Sequence, residues 1–122
     1  MGYGCGGRIT GLAKAPGGKI AASGGYVSFV NFNSKNQMLT MRFNANGTFD
    51  TSFSGDGFDI VSIAPSFFTD TGASVAVQAD GKIVSFGWTD QSSVDLSVPN
   101  HDFLFARYGM DGVNFVRWDS AG

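Results

Sequence analysis

Two segments of this chain are repeated in the same order. Residues 16–20 (PGGKI) resemble residues 79–83 (ADGKI), and residues 39–43 (LTMRF) resemble residues 104–108 (LFARY). A small unit of this kind cannot bury its apolar face alone and is stabilised by stacking on its neighbours. The duplication therefore predicts a repeat architecture, and it constrains the fold more than it constrains the function.

The residue types around these segments indicate β-strands and tight turns. The chain has 18 glycines, 12 phenylalanines and three prolines, and its apolar residues recur with the period of a strand instead of that of a helix. We expect one all-β unit over residues 1–122, made of two repeats at about residues 8–63 and 73–118. Four antiparallel strands are predicted in each repeat, at residues 8–14, 19–30, 38–43 and 58–63, and at residues 73–78, 82–89, 103–108 and 113–118.

Glycine-containing turns separate the predicted strands in both copies. Residues 15–18 and 78–81 are expected to be hairpin turns in which glycine adopts a positive φ. Residues 44–47 and 109–112 carry turn signals of the same kind after the arginine-containing strand. Each repeat is therefore predicted to reverse direction at two equivalent places.

The two copies differ most between their second and third strands. Gly81 lies 63 positions after Gly18, whereas Arg107 lies 65 positions after Arg42. The second copy therefore carries a two-residue insertion between its glycine turn and its arginine strand. We place the insertion in a linking loop, residues 31–37 in the first copy and residues 90–101 in the second. Because this loop varies while the strands match, it is a better candidate for function than the repeated motifs.

Several spaced motifs occur together in a fixed order. Residues 76–84 (AVQADGKIV), Gly87 and residues 102–108 (DFLFARY) follow one another, and residues 44–57 (NANGTFDTSFSGDG) contain a turn followed by Asp-Thr-Ser-Phe. In this order they resemble the delta-60 repeat, a bacterial repeat associated with β-propeller blades. The resemblance implies two four-stranded antiparallel propeller-like blades and no particular activity. The second copy departs from the pattern, since it lacks the Asp-Thr-Ser-Phe segment.

Two blades are too few to close a propeller, which needs about four or more. We therefore expect a homo-oligomer, with three two-blade chains as the simplest closed case, because isolated blades would expose large apolar faces. The alternative is a single eight-stranded sandwich or barrel. Apolar residues on both faces of several strands, such as Ile83, Val84 and Phe86, favour sheets that are covered on both sides.

Charge and cysteine content limit the classes of partner and of metal site that we expect. The net charge is −2 and 15% of residues are charged, so neither nucleic acid nor an anionic membrane surface is an expected partner. The single cysteine, Cys5, can form neither an intrachain disulfide nor a multi-cysteine metal site. No stretch approaches the ~18 apolar residues of a membrane-spanning helix. No cofactor is expected, and the sequence does not indicate the cellular compartment of the protein.

Candidate ligand-binding residues cluster around the longer linking loop. An aromatic side chain is followed there by polar groups that suit a small ligand or a carbohydrate. The simpler interpretation is an acidic, solvated loop. The candidates are Trp88, Asp90, Gln91, Asp95, Asn100, His101 and Asp102.

Catalytic and metal-binding signals are weak. A hydrolase could use a carboxylate pair among Asp90, Asp95 and Asp102, but no spacing fixes their separation and no nucleophile motif accompanies His101. We therefore predict no enzyme activity and no catalytic residue.

A second weak signal lies in residues 50–56, where aspartate and serine alternate as in a calcium loop without its distal glutamate. We predict no metal site there, because these residue types also bond the backbone of their own turns. Arg42 and Arg107 occupy equivalent positions, which favours a structural role such as pairing with Asp50 between blades.

Three classes of function follow from these observations. The leading one is a non-catalytic interaction or structural module, supported by matched strands, divergent loops and weak catalytic signals. A small-ligand or carbohydrate-binding protein is the alternative, and a hydrolase is the weakest.

Overall fold

The chain forms eight β-strands in a computed structural model that describes residues 6–30, 33–61, 70–90, 101–112 and 114–119. A three-residue 3₁₀ turn, Pro16–Gly18, joins the first two strands. The strands are β1 (Gly6–Ala15), β2 (Lys19–Val30), β3 (Asn33–Phe43), β4 (Phe58–Val61), β5 (Asp70–Val77), β6 (Ile83–Asp90), β7 (His101–Tyr108) and β8 (Asn114–Asp119).

The strands form two antiparallel sheets of four strands in sequence order. The first sheet is β1-β2-β3-β4 and the second is β5-β6-β7-β8, and neither is closed into a barrel. Each is a meander of the kind found in propeller blades, so we call them blade 1 and blade 2. The predicted all-β fold of two four-stranded propeller-like blades is confirmed. Within the described residues, no helix is both long and apolar enough to cross a membrane.

The predicted tight turns are present, and glycine supplies their positive φ angles. Gly17 and Gly18 both have φ of 76°, and the equivalent turn of blade 2 has Gly81 at 89°. Gly47 and Gly112, at 90° and 83°, occupy the second pair of reversals. Residues other than glycine are strained in this region of φ, which explains why glycine marks the turns so reliably.

The predicted linking loop of blade 1 is wrong over residues 33–37, while residues 31–32 lie outside the described residues. Strand β3 begins at Asn33, and its first residue pairs with Val30 at the end of β2. The residues from Asn33 to Gln37 are polar and show no apolar alternation, so the sequence indicates a loop there. They nevertheless form a strand because the long edge of β2 satisfies their backbone groups.

Blade 1 packs face to face on blade 2, and the core lies between them. Because side chains alternate across a strand, each blade has two faces. We call the face of blade 1 that contacts blade 2 its front, and the opposite face its back. The contacting face of blade 2 is its back. The main core cluster contains Ala21, Met38, Phe53, Val61, Val75, Ile83, Leu104, Ala106 and Tyr108.

A contact between two side-chain hydroxyls crosses this core. The hydroxyls of Thr40, on the front of blade 1, and Ser85, on the back of blade 2, are 2.7 Å apart and fully buried. Buried polar groups are stable only when they are hydrogen-bonded. The pair therefore helps to fix the position of one sheet on the other.

A β-bulge interrupts the first strand of each blade at the same place. The register shifts between Ile9 and Gly11 in β1 and between Gly72 and Ser74 in β5. Opposite each bulge the neighbouring strand has glycine, Gly24 in blade 1 and Gly87 in blade 2. A Cβ at either glycine would collide with a backbone carbonyl oxygen, that of Arg8 or of Thr71. Glycine is required there by the close approach of two backbones.

Two adjacent glycines of β2 give a matched test of this requirement. We expect Gly24→Ala to lower the free energy of unfolding by about 1–3 kcal/mol, because the bulge must move to admit a methyl group. Gly25→Ala should be neutral or stabilising by up to about 1 kcal/mol, because no atom lies within 4 Å of the position that its Cβ would occupy. Urea unfolding measures both, and equal losses in the two variants would contradict the explanation.

Candidate functional site

Asp50 is the centre of a charged cluster at the corner that follows β3. Its Oδ2 atom lies 2.6 Å from Arg42 Nε and 2.5 Å from Lys19 Nζ. Its Oδ1 atom accepts hydrogen bonds from the backbone N–H and the hydroxyl of Ser52. Asp50 and Arg42 are buried. The cluster therefore holds β2, β3 and the corner together.

These contacts determine the ionisation of Asp50. Burial on its own raises the pKa of a carboxyl group, because it penalises the charged form. Hydrogen bonds from Lys19, Ser52 and Arg42 outweigh that effect and hold the pKa of Asp50 well below its usual value. The carboxylate is therefore charged at pH 7.

The corner also carries a contact to blade 2. Arg42 lies over the ring of Phe53, with its guanidinium carbon 5.0 Å from the ring centroid. Phe53 is fully buried and packs on Tyr108 of β7, with 5.4 Å between ring centroids. Next to it, the backbone N–H of Ser54 donates to the carbonyl oxygen of Asp111. Ring packing and a backbone hydrogen bond thus hold the corner of blade 1 against β7 and the turn at residues 109–112 of blade 2.

The predicted pairing of Arg42 with Asp50 is present, but its placement between blades is wrong. Both residues belong to blade 1, because the chain turns back after β3 and returns Asp50 to the arginine of the same blade. The equivalent Arg107 is exposed. Its blade lacks the Asp-Thr-Ser-Phe segment that would supply a carboxylate, so the two arginines have different surroundings.

The calcium-like alternation in residues 50–56 corresponds to hydrogen bonds within the corner. Asp50 is occupied by Lys19, Arg42 and Ser52, and Asp56 Oδ1 accepts from the backbone N–H of Phe58. The described part of the chain contains no group of three histidine, cysteine, aspartate or glutamate residues arranged to hold a metal ion.

The two outermost faces of the described blades are apolar. On the front of blade 2, Phe86, Trp88 and Phe103 are 44%, 40% and 70% exposed, and Phe86 packs on Phe105 with 5.3 Å between centroids. The back of blade 1 carries Leu12 and Ile20, 67% and 38% exposed, beside a second apolar cluster. The cluster is formed by Ala22, Leu39 and Met41, with Tyr26, Phe43, Phe58 and Ile60 packed against it.

Exposed residues on the back of blade 1 have equivalents in the second repeat that are buried against blade 1. Ile20 lies 63 positions before Ile83, which is fully buried on the back of blade 2. Leu12 lies 63 positions before Val75, which is also buried.

The exposed front of blade 2 matches the covered front of blade 1 in the same way. Phe103 lies 65 positions after Met38, which is fully buried there. The outer faces therefore repeat the two faces that meet inside the chain.

A cleft of about 730 Å³ opens between the blades beside the first residues of β1 and β5. Among the described lining residues one is charged, Arg8, and one is aromatic, Trp88, whose side chain lies on the front of blade 2 beside Phe103. The lining residues are Gly6, Gly7, Arg8, Thr10, Gly25, Val27, Asn36, Thr71, Gly72, Ala73 and Trp88.

The structure describes only part of the predicted ligand-binding group, so that group stays a prediction. Trp88 lines the cleft. Asp90, His101 and Asp102 are not in a loop as predicted, because β6 and β7 continue further and pair Asp90 with His101 and Thr89 with Asp102. Gln91, Asp95 and Asn100 lie outside the described residues, as do the side chains of Asp90, His101 and Asp102. The carboxylate separation that a glycosidase requires is therefore not defined for this group.

The other lining residues of the cleft were not predicted from the sequence. Arg8, Asn36 and Thr71 are far apart along the chain and carry no common motif. The signal that could have indicated them is the high density of glycine at the start of β1 and in the middle of β2. Strand interiors disfavour glycine unless something approaches the backbone closely.

Comparison with known proteins supports the propeller resemblance. A family model described as a β-propeller domain of unknown function (DUF5122) matches residues 17–53, which run from the first turn through β2 and β3 to Phe53 of the corner. The matched family is a β-propeller family and is not named as the delta-60 repeat. No curated protein matches the chain.

Replacing Asp50 tests the corner cluster. We expect Asp50→Asn to be about 3 kcal/mol less stable than the parent at pH 7, because it leaves the buried Arg42 without its carboxylate. Urea unfolding measures the loss, and Asp56→Asn is the control, because its side chain is exposed and asparagine can keep the turn hydrogen bond. The control should lie within about 0.5 kcal/mol of the parent.

The pH dependence of the same variants adds a second test. The folded pKa of Asp50 is lowered, so the unfolded chain binds more protons in acid. The stabilisation is complete above the unfolded pKa and is lost as pH falls below about 4 towards the folded value. Asp50→Asn should therefore lose less stability than the parent on acidification. Parallel acid profiles for the two proteins would contradict this role of Asp50.

Proposed function

We propose that this protein is a non-catalytic structural or interaction module that assembles with copies of itself into a ring of propeller-like blades. The observation that carries the proposal is the repetition of the buried faces at the two outer surfaces. The match to a β-propeller family of unknown function supports a structural or interaction role. We also propose that its two blades are delta-60 repeats.

Exposed apolar area is the physical reason for assembly. Phe86 and Phe103 project from the front of blade 2, and burial of apolar surface yields roughly 25 cal/mol for each Å² removed from water. A contiguous patch of this kind marks an interaction surface more often than an ordinary part of a monomer.

The contacts inside the chain indicate which faces meet. The front of blade 1 accepts the back of blade 2, so the front of blade 2 would accept the back of blade 1 from a second copy. Such contacts are heterologous, and heterologous contacts close into rings when the rotation between units permits it. Three chains would give six blades, within the typical range of about four to eight.

One contact within the chain can be transferred to the proposed interface. Gly72 of β5 lies close to Met38, since a Cβ at Gly72 would be 3.1 Å from Met38 Cγ. The equivalent positions are Ile9, which is 63 residues earlier than Gly72, and Phe103, which is 65 residues later than Met38. Both are apolar and exposed, at 52% and 70%. We therefore place Ile9 of one copy on Phe103 of the next.

Substitution of Phe103 tests the proposed interface in solution. We expect the parent to have several times the 12.8 kDa chain mass by light scattering. Phe103→Glu should reduce the measured mass to that of one chain, because it places a charge in an apolar contact. Met110→Glu is the control, since Met110 is 61% exposed in the turn after β7 and should keep the parent mass.

Circular dichroism would verify that both variants retain β-structure. A folded parent with the mass of a single chain would refute self-assembly. A Phe103→Glu variant with the parent mass would refute this interface.

A further inference from the structure

The cleft between the two blades of one chain is open at a position where the second repeat carries a tryptophan. Its volume of about 730 Å³ lies in the range of small-molecule pockets. Gly25 lines it, and apart from its chain neighbours no described atom lies within 4 Å of the position that a Cβ would occupy. Gly25 has no positive φ, so neither its backbone nor its surroundings require glycine.

The strand register shows that Gly25 and Trp88 are equivalent residues. Gly25 pairs with Met38, and Trp88 pairs with Phe103, the matching residue of β7. Each follows the glycine opposite the bulge of its blade, and each lies on the front of that blade. The side chain of Trp88 therefore points away from this cleft, towards the blade that would follow it in the proposed ring of blades. The front of Gly25 faces the cleft itself.

This equivalence indicates the shape of the group that is missing at Gly25. In the proposed ring of blades, the indole of Trp88 would enter the space between two copies that corresponds to this cleft. Glycine leaves the same space free within each chain, and an apolar space of this kind can be filled by a small molecule of similar shape. The fit of an indole thus rests on the proposed ring of blades, whereas the cleft belongs to a single chain.

The charge in the cleft comes from Arg8. It lies directly opposite Gly25 in the pairing of β1 with β2, so its side chain is on the same face of the sheet. Arg8 is exposed, and none of the described lining residues carries a carboxylate that could neutralise it. A planar guanidinium binds a carboxylate through two parallel hydrogen bonds. The cleft is therefore suited to an anionic ligand.

Two further side chains share this face. Val27 of β2 and Asn36 of β3 pair with each other beside Gly25, and both are half-buried lining residues of the cleft. Val27 adds an apolar surface, and the amide of Asn36 adds two hydrogen-bond donors and an acceptor. Apolar and polar groups thus lie next to one another around the open space.

We propose that this cleft binds a small aromatic carboxylate, a molecule with a flat ring of up to indole size and a carboxylate on a short arm. The ring fills the space in front of Gly25 and packs on Val27. Arg8 binds the carboxylate, and the amide of Asn36 donates a further hydrogen bond to it. A neutral arene leaves Arg8 without a partner, and a simple carboxylate leaves the apolar space empty.

Equilibrium dialysis of the full chain against indole-3-acetate tests the proposal. We expect one bound molecule per chain at saturation. The neutral isostere indole-3-acetamide should bind at least about tenfold more weakly, and acetate at the same concentration should not compete. Absence of retained indole-3-acetate, equal retention of the amide, or competition by acetate at similar concentration would each overturn the proposal.

Two variants locate the site. Gly25→Trp places in the cleft the side chain that the second repeat carries, so it should abolish binding while its melting temperature equals or exceeds that of the parent. Arg8→Gln should weaken binding by about tenfold or more. Arg107→Gln is the control, because Arg107 is an exposed arginine outside the described lining of the cleft, and it should bind like the parent.

Binding that survives both Gly25→Trp and Arg8→Gln would overturn the assignment to this cleft. A Gly25→Trp variant that melts well below the parent would show that the cleft does not hold an indole, and would overturn it as well. The light-scattering mass of the parent reports separately on assembly. Binding by a chain of single-chain mass would refute the ring of blades alone, and a multi-chain mass without binding would refute the ligand site alone.

Discussion

The packing of the front of blade 1 on the back of blade 2 is the interaction on which the rest of this structure depends. Each blade is a meander with apolar residues on both faces, so a single sheet cannot shield itself from water. Stacking removes one face of each blade from solvent and leaves the other two exposed. The same constraint that folds the chain therefore creates the surfaces through which we propose that it assembles, and the cleft lies between the same two blades.

The interface between the two blades of one chain includes the charged corner after β3, which the proposed interface between copies lacks. In blade 1 the ion pairs of Asp50 support Phe53, which packs on Tyr108, while Ser54 bonds to the last turn of blade 2. Blade 2 continues past Gly112 without the Asp-Thr-Ser-Phe segment. A contact between copies would consequently rest on apolar packing without the charged corner. It should be weaker than the contact within a chain and more dependent on protein concentration.

Strands and turns were predictable because their signals are local. Alternating apolar residues and glycines between them located all eight strands and both pairs of turns in the described part of the chain. The start of β3 was missed because residues 33–37 are polar and pair only through their backbone. The cleft was missed, apart from Trp88, because Arg8, Asn36 and Thr71 meet only once two sheets have stacked. A glycine such as Gly25 carries no side chain to indicate what it faces.

Crosslinking between Ile9 and Phe103 tests front-to-back assembly most directly. With the natural cysteine removed as Cys5→Ser, chains carrying both Ile9→Cys and Phe103→Cys would be treated with a short bis-maleimide and separated under denaturing conditions. Front-to-back packing predicts covalent dimers and larger products from the double variant, and single chains from either substitution alone. Efficient covalent dimers from Phe103→Cys alone would show two fronts in contact and would contradict it, as would a double variant that yields no intermolecular product.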